Sequence, residues 1–280
     1  MKRIALLPNP KKDPTLRVTK NIADRLLAQG AILSLPPEYR GAFPTLASED
    51  FPGDPELILV IGGDGSILDA SVDAIARGVP VLGVNLGRLG YLAELDPDHP
   101  ELLDRLFAGD YTVREEMLLT VSILREGREI PSPRYAVNEV FASHDSAVGL
   151  ATLKLLTAGG ESVSYRADGL IFSTPIGSTA YSLSAGGPIV AHSVPSITVT
   201  PVCPHSFFNR AIVFSPREEL RLSAGEVPLG LSVDGRPFDT LYPGERCVIR
   251  RADRPLKLLT FRENDTFSAL FAKMRKLEEI

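Results

Sequence analysis

Hydrophobic and polar positions change their rhythm twice along this chain. Leu57 to Ile61 is an unbroken apolar run, the pattern of a strand buried on both faces of a parallel sheet. Gly62-Gly63-Asp64-Gly65-Ser66 interrupts it, and helical spacing follows, with Ile67, Leu68, Ser71, Val72 and Ile75 on one face and Gly78 as the stop. Upstream, Arg3 to Leu7 predicts a first buried strand, left through Pro8-Asn9-Pro10. Asp13-Pro14 then predicts a cap and first turn for a helix carrying Val18, Ile22 and Leu26. Gly30 ends that helix, Ala31 to Leu35 follows as a short strand, and Pro36 to Pro55 as a loop. Val79 to Val84 predicts another buried strand, and Asp96-Pro97 caps a helix over Asp98 to Ala108 with Leu102, Leu103 and Leu106 inward. Strand and helix thus alternate through the first third, as in a doubly wound α/β layer.

From Tyr111 the rhythm becomes short and alternating. Runs at Leu119–Leu124, Tyr135–Phe141, Ala151–Leu156 and Gly169–Ser173 predict strands, as do Ser196–Val202, Ala211–Phe214, Gly230–Val233 and Leu256–Phe261. One helical interruption falls near Ser178 to Ala185. Phe267, Leu270, Phe271 and Met274 restore helical spacing at the C-terminus. The expected fold is therefore α/β plus all-β. Residues 1–112 form a doubly wound, Rossmann-like domain, 113–262 a β-rich, sandwich-like domain, and 263–280 a helix that would return to the first domain.

At 280 residues there is ample core for two modest domains, and a net charge of −5 without a Lys/Arg-dense run argues against a nucleic-acid or membrane-surface binder. Cys203 and Cys247 make no metal or disulfide pattern, which fits a reducing cytoplasm. The apolar run after Met1 is broken by Pro8 and Pro10, too early for a signal peptide, and no segment has membrane-spanning length. His99, His144, His192 and His205 are scattered without ligand spacing, so no protein metal site is expected.

Three stretches could carry chemistry. A strand, a glycine turn and a helix N-terminus together make an anion site, because backbone N–H groups approach closely and the helix dipole favours negative charge. Asp64 is anomalous there: a carboxylate inside a phosphate cradle repels the ligand and is better explained as a base or metal partner than as a phosphate contact. The alternative is a plain strand-to-helix turn capped by Asp64. The second stretch, Asp168 to Pro188, is dense in small and hydroxylated residues, which let backbone lie against a polar ligand. The third, Asn138-Glu139 within an apolar run, suits base-edge and ribose hydroxyl contacts. Walker, dinucleotide-fingerprint and nucleophile-elbow motifs are all missing.

In this order Gly62–Ser66, Asn138-Glu139 and Asp168–Pro188 resemble the motif set of bacterial NAD kinases, and Gly83 to Tyr91 is similar to a fourth family segment. The resemblance implies ATP-dependent phosphorylation of the adenosine 2′-hydroxyl of NAD, giving NADP. It implies Asp64 as proton acceptor, with Gly65 and Leu68 also on the dinucleotide, and Gly62, Gly63, Gly65 and Ser66 on the donor phosphates. Asn138 and Glu139 resemble the pair that holds the adenosine end, with Tyr91 in place of a usual Phe beside the adenine. Thr179, Ala180, Tyr181, Ser182, Leu183 and Ser184 resemble contacts to rings and riboses. Arg166 and Asp168 resemble residues that reach the nicotinamide end, and His205 one that lines a neighbouring subunit's site. Homodimers or homotetramers with shared active sites follow from the same resemblance. Ile176, Tyr91 and Arg236 depart from the family pattern, and Arg236 stands where Gln is frequent. Because no Lys or Arg lies within the glycine turn, a divalent ion, expected to be Mg²⁺, would carry much of the charge neutralisation.

Other kinases share the glycine turn. In lipid kinases of the diacylglycerol type the Asn-Glu pair follows it almost directly, whereas here it waits until 138–139. A sugar kinase would not need the hydroxylated segment, and a non-catalytic NAD(P)-binding regulator would not need Asp64.

Overall fold

A computed structural model describes residues 2–48, 54–87, 90–144, 150–205, 208–261 and 271. The chain divides into two compact units, Met1–Glu115 with Leu256–Ile280, and Glu116–Pro255.

The first unit opens with β1 (Arg3–Pro8), α1 (Arg17–Ala28), β2 (Ile32–Leu35) and β3 (Ala47–Ser48). Then come β4 (Leu57–Gly62), α2 (Asp64–Arg77), β5 (Val81–Asn85), α3 (Leu102–Ala108) and β6 (Thr112–Glu116). β4 is buried at every position, as its unbroken apolar run requires. The sheet order is β3-β2-β1-β4-β5, then β19 (Leu256–Thr260), then β6. β1 pairs parallel with β2 and β4, and β4 parallel with β5. From β1 the chain winds outward to β2, and from β4 outward the other way to β5. The order therefore reverses between β1 and β4, and the loops at their carboxyl ends flank the crevice where open α/β sheets bind ligands.

Several boundaries differ from the sequence expectation. Leu16 is left-handed (φ 54°), so α1 starts at Arg17, and the Asp13 carboxylate reaches forward to the Thr19 amide (2.8 Å) and hydroxyl (2.7 Å). α3 starts only at Leu102. In α2 the buried stripe is Ile67, Ala70, Ser71, Ala74 and Ile75, leaving Leu68 and Val72 half-buried, because small alanines let the helix lie close to the sheet. β19 follows the β-rich region in sequence but pairs parallel with β5, Leu258 opposite Val81. Its pattern, buried at four of five positions, suits an inner parallel strand rather than a half-solvated one. The C-terminal helix expected over 263–280 lies outside the described residues apart from Phe271.

The second unit is a sandwich of two six-stranded sheets. Its strands are β7 (Leu119–Arg125), β8 (Arg128–Pro131), β9 (Glu139–Ser143), β10 (Ala151–Leu156), β11 (Ser162–Ala167) and β12 (Gly169–Ser173). After the short α4 (Tyr181–Ser184) come β13 (Ile197–Val202), β14 (Ile212–Phe214), β15 (Leu220–Ala224), β16 (Leu229–Val233), β17 (Arg236–Leu241) and β18 (Arg246–Arg251). The sheets run β11-β10-β15-β18-β7-β8 and β14-β13-β12-β9-β16-β17. Val121, Leu153 and Leu222 of one sheet share a core with Val140, Phe172 and Leu231 of the other.

Candidate active site

In the first unit the glycine turn joins β4 to α2 at the carboxyl edge of the sheet. Gly63 is the N-cap in extended conformation, and Asp64 is the first helical residue. A Cβ on Gly62 would overlap the Ser66 side chain, so this position tolerates little but glycine. The first amides of a helix have no intrahelical acceptor, and Gly65 is exposed with open space around it. Asp64 is oriented by three amides of the segment after β5: Tyr91 N–H donates to Oδ2 (2.7 Å), and Leu92 and Ala93 N–H to Oδ1 (3.1 and 3.2 Å). A carboxylate offers about four acceptor positions, so one stays open. Asp64 is therefore not the helix cap; its carboxylate instead fixes the backbone at Tyr91, a residue 38% exposed. Of the neighbouring segment, Arg88 and Leu89 lie outside the described residues.

The loop after β1 completes this edge. Asn9 donates from Nδ2 to Ser66 Oγ (2.7 Å), tying the loop to the first turn of α2 and leaving the Ser66 proton available to a ligand. Lys12 stands over the turn. A Cβ on Gly63 would collide with its Nζ, and one on Gly87 would lie 3.2 Å from it. No cation lies within the turn in sequence, yet the fold brings this one to it from the β1–α1 loop. Beside Ser66 opens a cleft of about 560 Å³, lined among others by Asn9, Pro37, Glu38, Asp69 and Asp73.

In the second unit Asn138 and Glu139 sit where β9 begins, later than the run Tyr135–Phe141 suggested. Asp234, at the β16–β17 hairpin, holds them: its carboxylate accepts N–H groups from Val137 (2.9 Å), Asn138 (2.8 Å) and Glu139 (3.0 Å). Asp234 and Gly235 have φ of 48° and 73°, the double positive φ of a tight two-residue hairpin turn. Glu139 is buried, only 8% exposed, and its Oε2 has no hydrogen-bond partner. Burial, and then the negative charge of Asp234, push its carboxyl up to about 7, against a lowering hydrogen bond from the Tyr181 amide. Burial likewise raises Asp234, opposed by its three amides.

The hydroxylated segment is folded onto this pair. Thr174 N–H donates to the Asn138 carbonyl (2.9 Å) and Thr174 Oγ1 to that of Val137 (2.6 Å). Gly177 lies so close to the Asn138 backbone that no Cβ fits. Many hydroxyls are used internally: Ser178 Oγ donates to the Pro175 carbonyl (2.6 Å) and accepts from Val190 N–H (3.0 Å), and Ser182 Oγ meets Thr200 Oγ1 (2.9 Å). The Ser182 side chain is fully buried, and its bond to Thr200 ties the segment to β13. Thr179 and Ala180 are half-buried, while Tyr181, Leu183 and Ser184 are exposed, with the Tyr181 ring edge-on to Phe141 (5.1 Å). Ile176 is buried and Arg236 is exposed.

Arg166, Asp168 and His205 form a second, exposed group, with the His205 amide donating to the Arg166 carbonyl (2.7 Å) and His144 Nε2 lying 3.9 Å from Asp168 Oδ1. The sheet separates this group from the first. Glu139 pairs with Ser173 at one end of β9–β12 and Ser143 with Gly169, next to Asp168, at the other. Four residues of antiparallel strand span about 14 Å. Among the described residues, no group of three or more His, Cys, Asp or Glu is placed to hold a metal ion. Lys12 and Asp234 were not picked out in the sequence; the Asp-Gly dipeptide between two alternating runs was the available signal for the second.

A parallel α/β unit with a glycine turn at its switch point, followed by a β-sandwich, defines a two-part phosphotransferase. Family models described as the ATP-NAD kinase N-terminal domain and the ATP-NAD kinase C-terminal domain match residues 40–111 and 137–261. The chain is 36% identical over 282 residues to a NAD kinase of Geobacter sulfurreducens, covering 98% of this chain and 99% of that one. It is 39% identical over 229 residues to a NAD kinase of Syntrophobacter fumaroxidans, covering 81% of each. The chain belongs to the NAD kinase family. The fold is also that of a yeast NADH kinase solved with NADH (TM-score 0.85, 22% identity, 100% of this chain and 88% of that). A NAD kinase from Archaeoglobus fulgidus solved with ATP shares it as well (TM-score 0.75, 24% identity, 98% of each).

Proposed function

We propose that this protein transfers the γ-phosphoryl group of ATP to the adenosine 2′-hydroxyl of NAD, giving NADP and ADP. The observation that carries the reading is Asp64, a carboxylate fixed by three amides inside a phosphate-binding turn. Its remaining acceptor position takes the 2′-hydroxyl proton as the hydroxyl oxygen bonds to the γ-phosphorus and the bond to ADP breaks. Phosphoryl transfer needs alignment and charge stabilisation more than covalent help, and an immobile base supplies the first. Gly62, Gly63, Gly65 and Ser66 receive the donor phosphates. The divalent ion, Mg²⁺, enters as part of the nucleotide substrate.

Gly65, Leu68 and Tyr91 contribute to NAD binding from the first unit. The unpartnered Glu139 Oε2, with Asn138, accepts from the adenosine end, and Thr179, Ala180, Tyr181, Leu183 and Ser184 contact rings and riboses. Arg166, Asp168 and His205 lie about a strand length from Glu139, a separation that favours their serving the NAD of a neighbouring chain in a homodimer or homotetramer. The enzyme acts in the cytoplasm, consistent with its two free thiols.

The test is NADP formation from NAD, run in parallel with ATP, GTP and inorganic polyphosphate as magnesium salts. NADP with ATP is the expected result; no NADP with any donor would reject the reading.

A further inference from the structure

Resting on that reading, we propose that Lys12 binds the donor's phosphate chain at the glycine turn. Lys12 is far from the turn in sequence, and the fold delivers it there. Its ammonium stands against Gly63 and Gly87, the two glycines whose missing side chains leave it room. β1 and β4 flank the reversal point of the sheet, so Lys12 and the turn rise from adjacent strand ends into the same crevice.

The loop holds Lys12 from both sides. Lys12 and Asp13 amides donate to the Asn9 carbonyl (3.0 and 2.9 Å), and Lys11 N–H to Asn9 Oδ1 (3.0 Å). The Asn9 amide extends the β1–β4 ladder by donating to the Ile61 carbonyl (2.8 Å), and its side chain grips Ser66. On the far side the Asp13 carboxylate is anchored by Thr19. Backbone freedom is thus removed before any ligand arrives, which lowers the entropy cost of using the cation.

The ammonium itself is exposed and makes no ion pair with any described carboxylate. A lysine kept for stability would pack its stem or meet an acid; this one faces open glycine backbone. The adjoining cleft carries Glu38, Asp69 and Asp73 against one cation, Lys11, so its lining is net acidic and disfavours phosphate. The anionic chain is therefore favoured on the Lys12 side of Ser66, where a compact, rotatable cation can follow charge moving onto the leaving phosphate.

Steady-state kinetics of Lys12→Gln and Lys12→Arg, with MgATP and NAD varied separately, test this. A charge-assisted contact of ordinary strength predicts KM for MgATP raised about tenfold in Lys12→Gln, with KM for NAD and Tm unchanged. Lys12→Arg should recover most of the loss, and the wild-type advantage should shrink as salt rises. An unchanged KM for MgATP in the folded Gln variant overturns the proposal. Equal rises in both KM values, or a fall in Tm that Arg does not rescue, overturn it too, by making Lys12 structural. A wild-type protein that makes no NADP would instead reject the kinase reading itself.

Discussion

Two of the three Asp-Gly dipeptides, Asp64-Gly65 in the first unit and Asp234-Gly235 in the second, solve the same hydrogen-bonding problem. The carboxylate of Asp64 accepts from Tyr91, Leu92 and Ala93, and that of Asp234 from Val137, Asn138 and Glu139. Each pins three consecutive amides of a distant segment. Their surroundings differ. Asp64 opens a helix beside an exposed glycine and a cation, where its remaining acceptor position can meet a substrate. Asp234 turns a hairpin next to a buried, unpartnered carboxylate, and burial works against its charge. Identical local bonding thus serves a reacting group in one unit and a positioning group in the other; what surrounds the carboxylate decides which.

The comparison breaks first at Asp64. Asp64→Asn removes the base and is expected to lower kcat by about 10²-fold or more with the fold retained, read from NADP formation and circular dichroism. Near-normal kcat would leave Asp64 the same kind of anchor as Asp234. Next in size is a complementation. Asp64→Asn and Asp168→Asn should each be nearly inactive alone. Reassembled together, random pairing gives a hybrid in half the dimers with one intact site of two, restoring roughly a quarter of wild-type activity. No recovery in hybrids verified by mass would assign both carboxylates to one chain's site.

The smallest effect concerns Glu139. Its folded pKa is raised from 4.5 to about 7, so its stabilising contribution is complete below about pH 4.5 and is lost as pH climbs through about 7. Thermal melts of wild type and Glu139→Gln at pH 5 and pH 8 should show the wild type losing ground to the variant at the higher pH. A constant difference between the two would contradict a strained Glu139.

Much of this was legible from pattern. The buried run Leu57–Ile61, the turn after it and Gly78 as the helix stop (φ 68°) all appear in the structure, because local chemistry alone decides them. β15, Leu-Arg-Leu-Ser-Ala, alternates buried and half-buried positions, yet its charged neighbours Glu218 and Glu219 masked it. β19 shows a different limit: five residues carry no record of which sheet completes them, and proximity in sequence suggested the other unit. At the site, Asp64 and Asn138-Glu139 stood out because polar groups interrupt apolar runs. Lys12 did not, since an exposed lysine in a loop has no distinguishing neighbours until the fold sets it over Gly63. The bond of the Ser182 hydroxyl to Thr200 was equally hidden, because that partner lies on a strand remote in sequence.

The most direct test of different work from identical bonding is a side-by-side measurement of kcat and KM for NAD in Asp64→Asn and Asp234→Asn. Each substitution replaces a carboxylate with an amide that has one oxygen for three N–H donors, so the bonding lost is matched. The account predicts that Asp64→Asn loses kcat by about 10²-fold, with any rise in KM for NAD from the loosened Tyr91 backbone smaller than the fall in kcat. It predicts that Asp234→Asn raises KM for NAD about tenfold as Asn138 and Glu139 lose their anchor, with kcat far less affected. The same kinetic profile in both variants would contradict it.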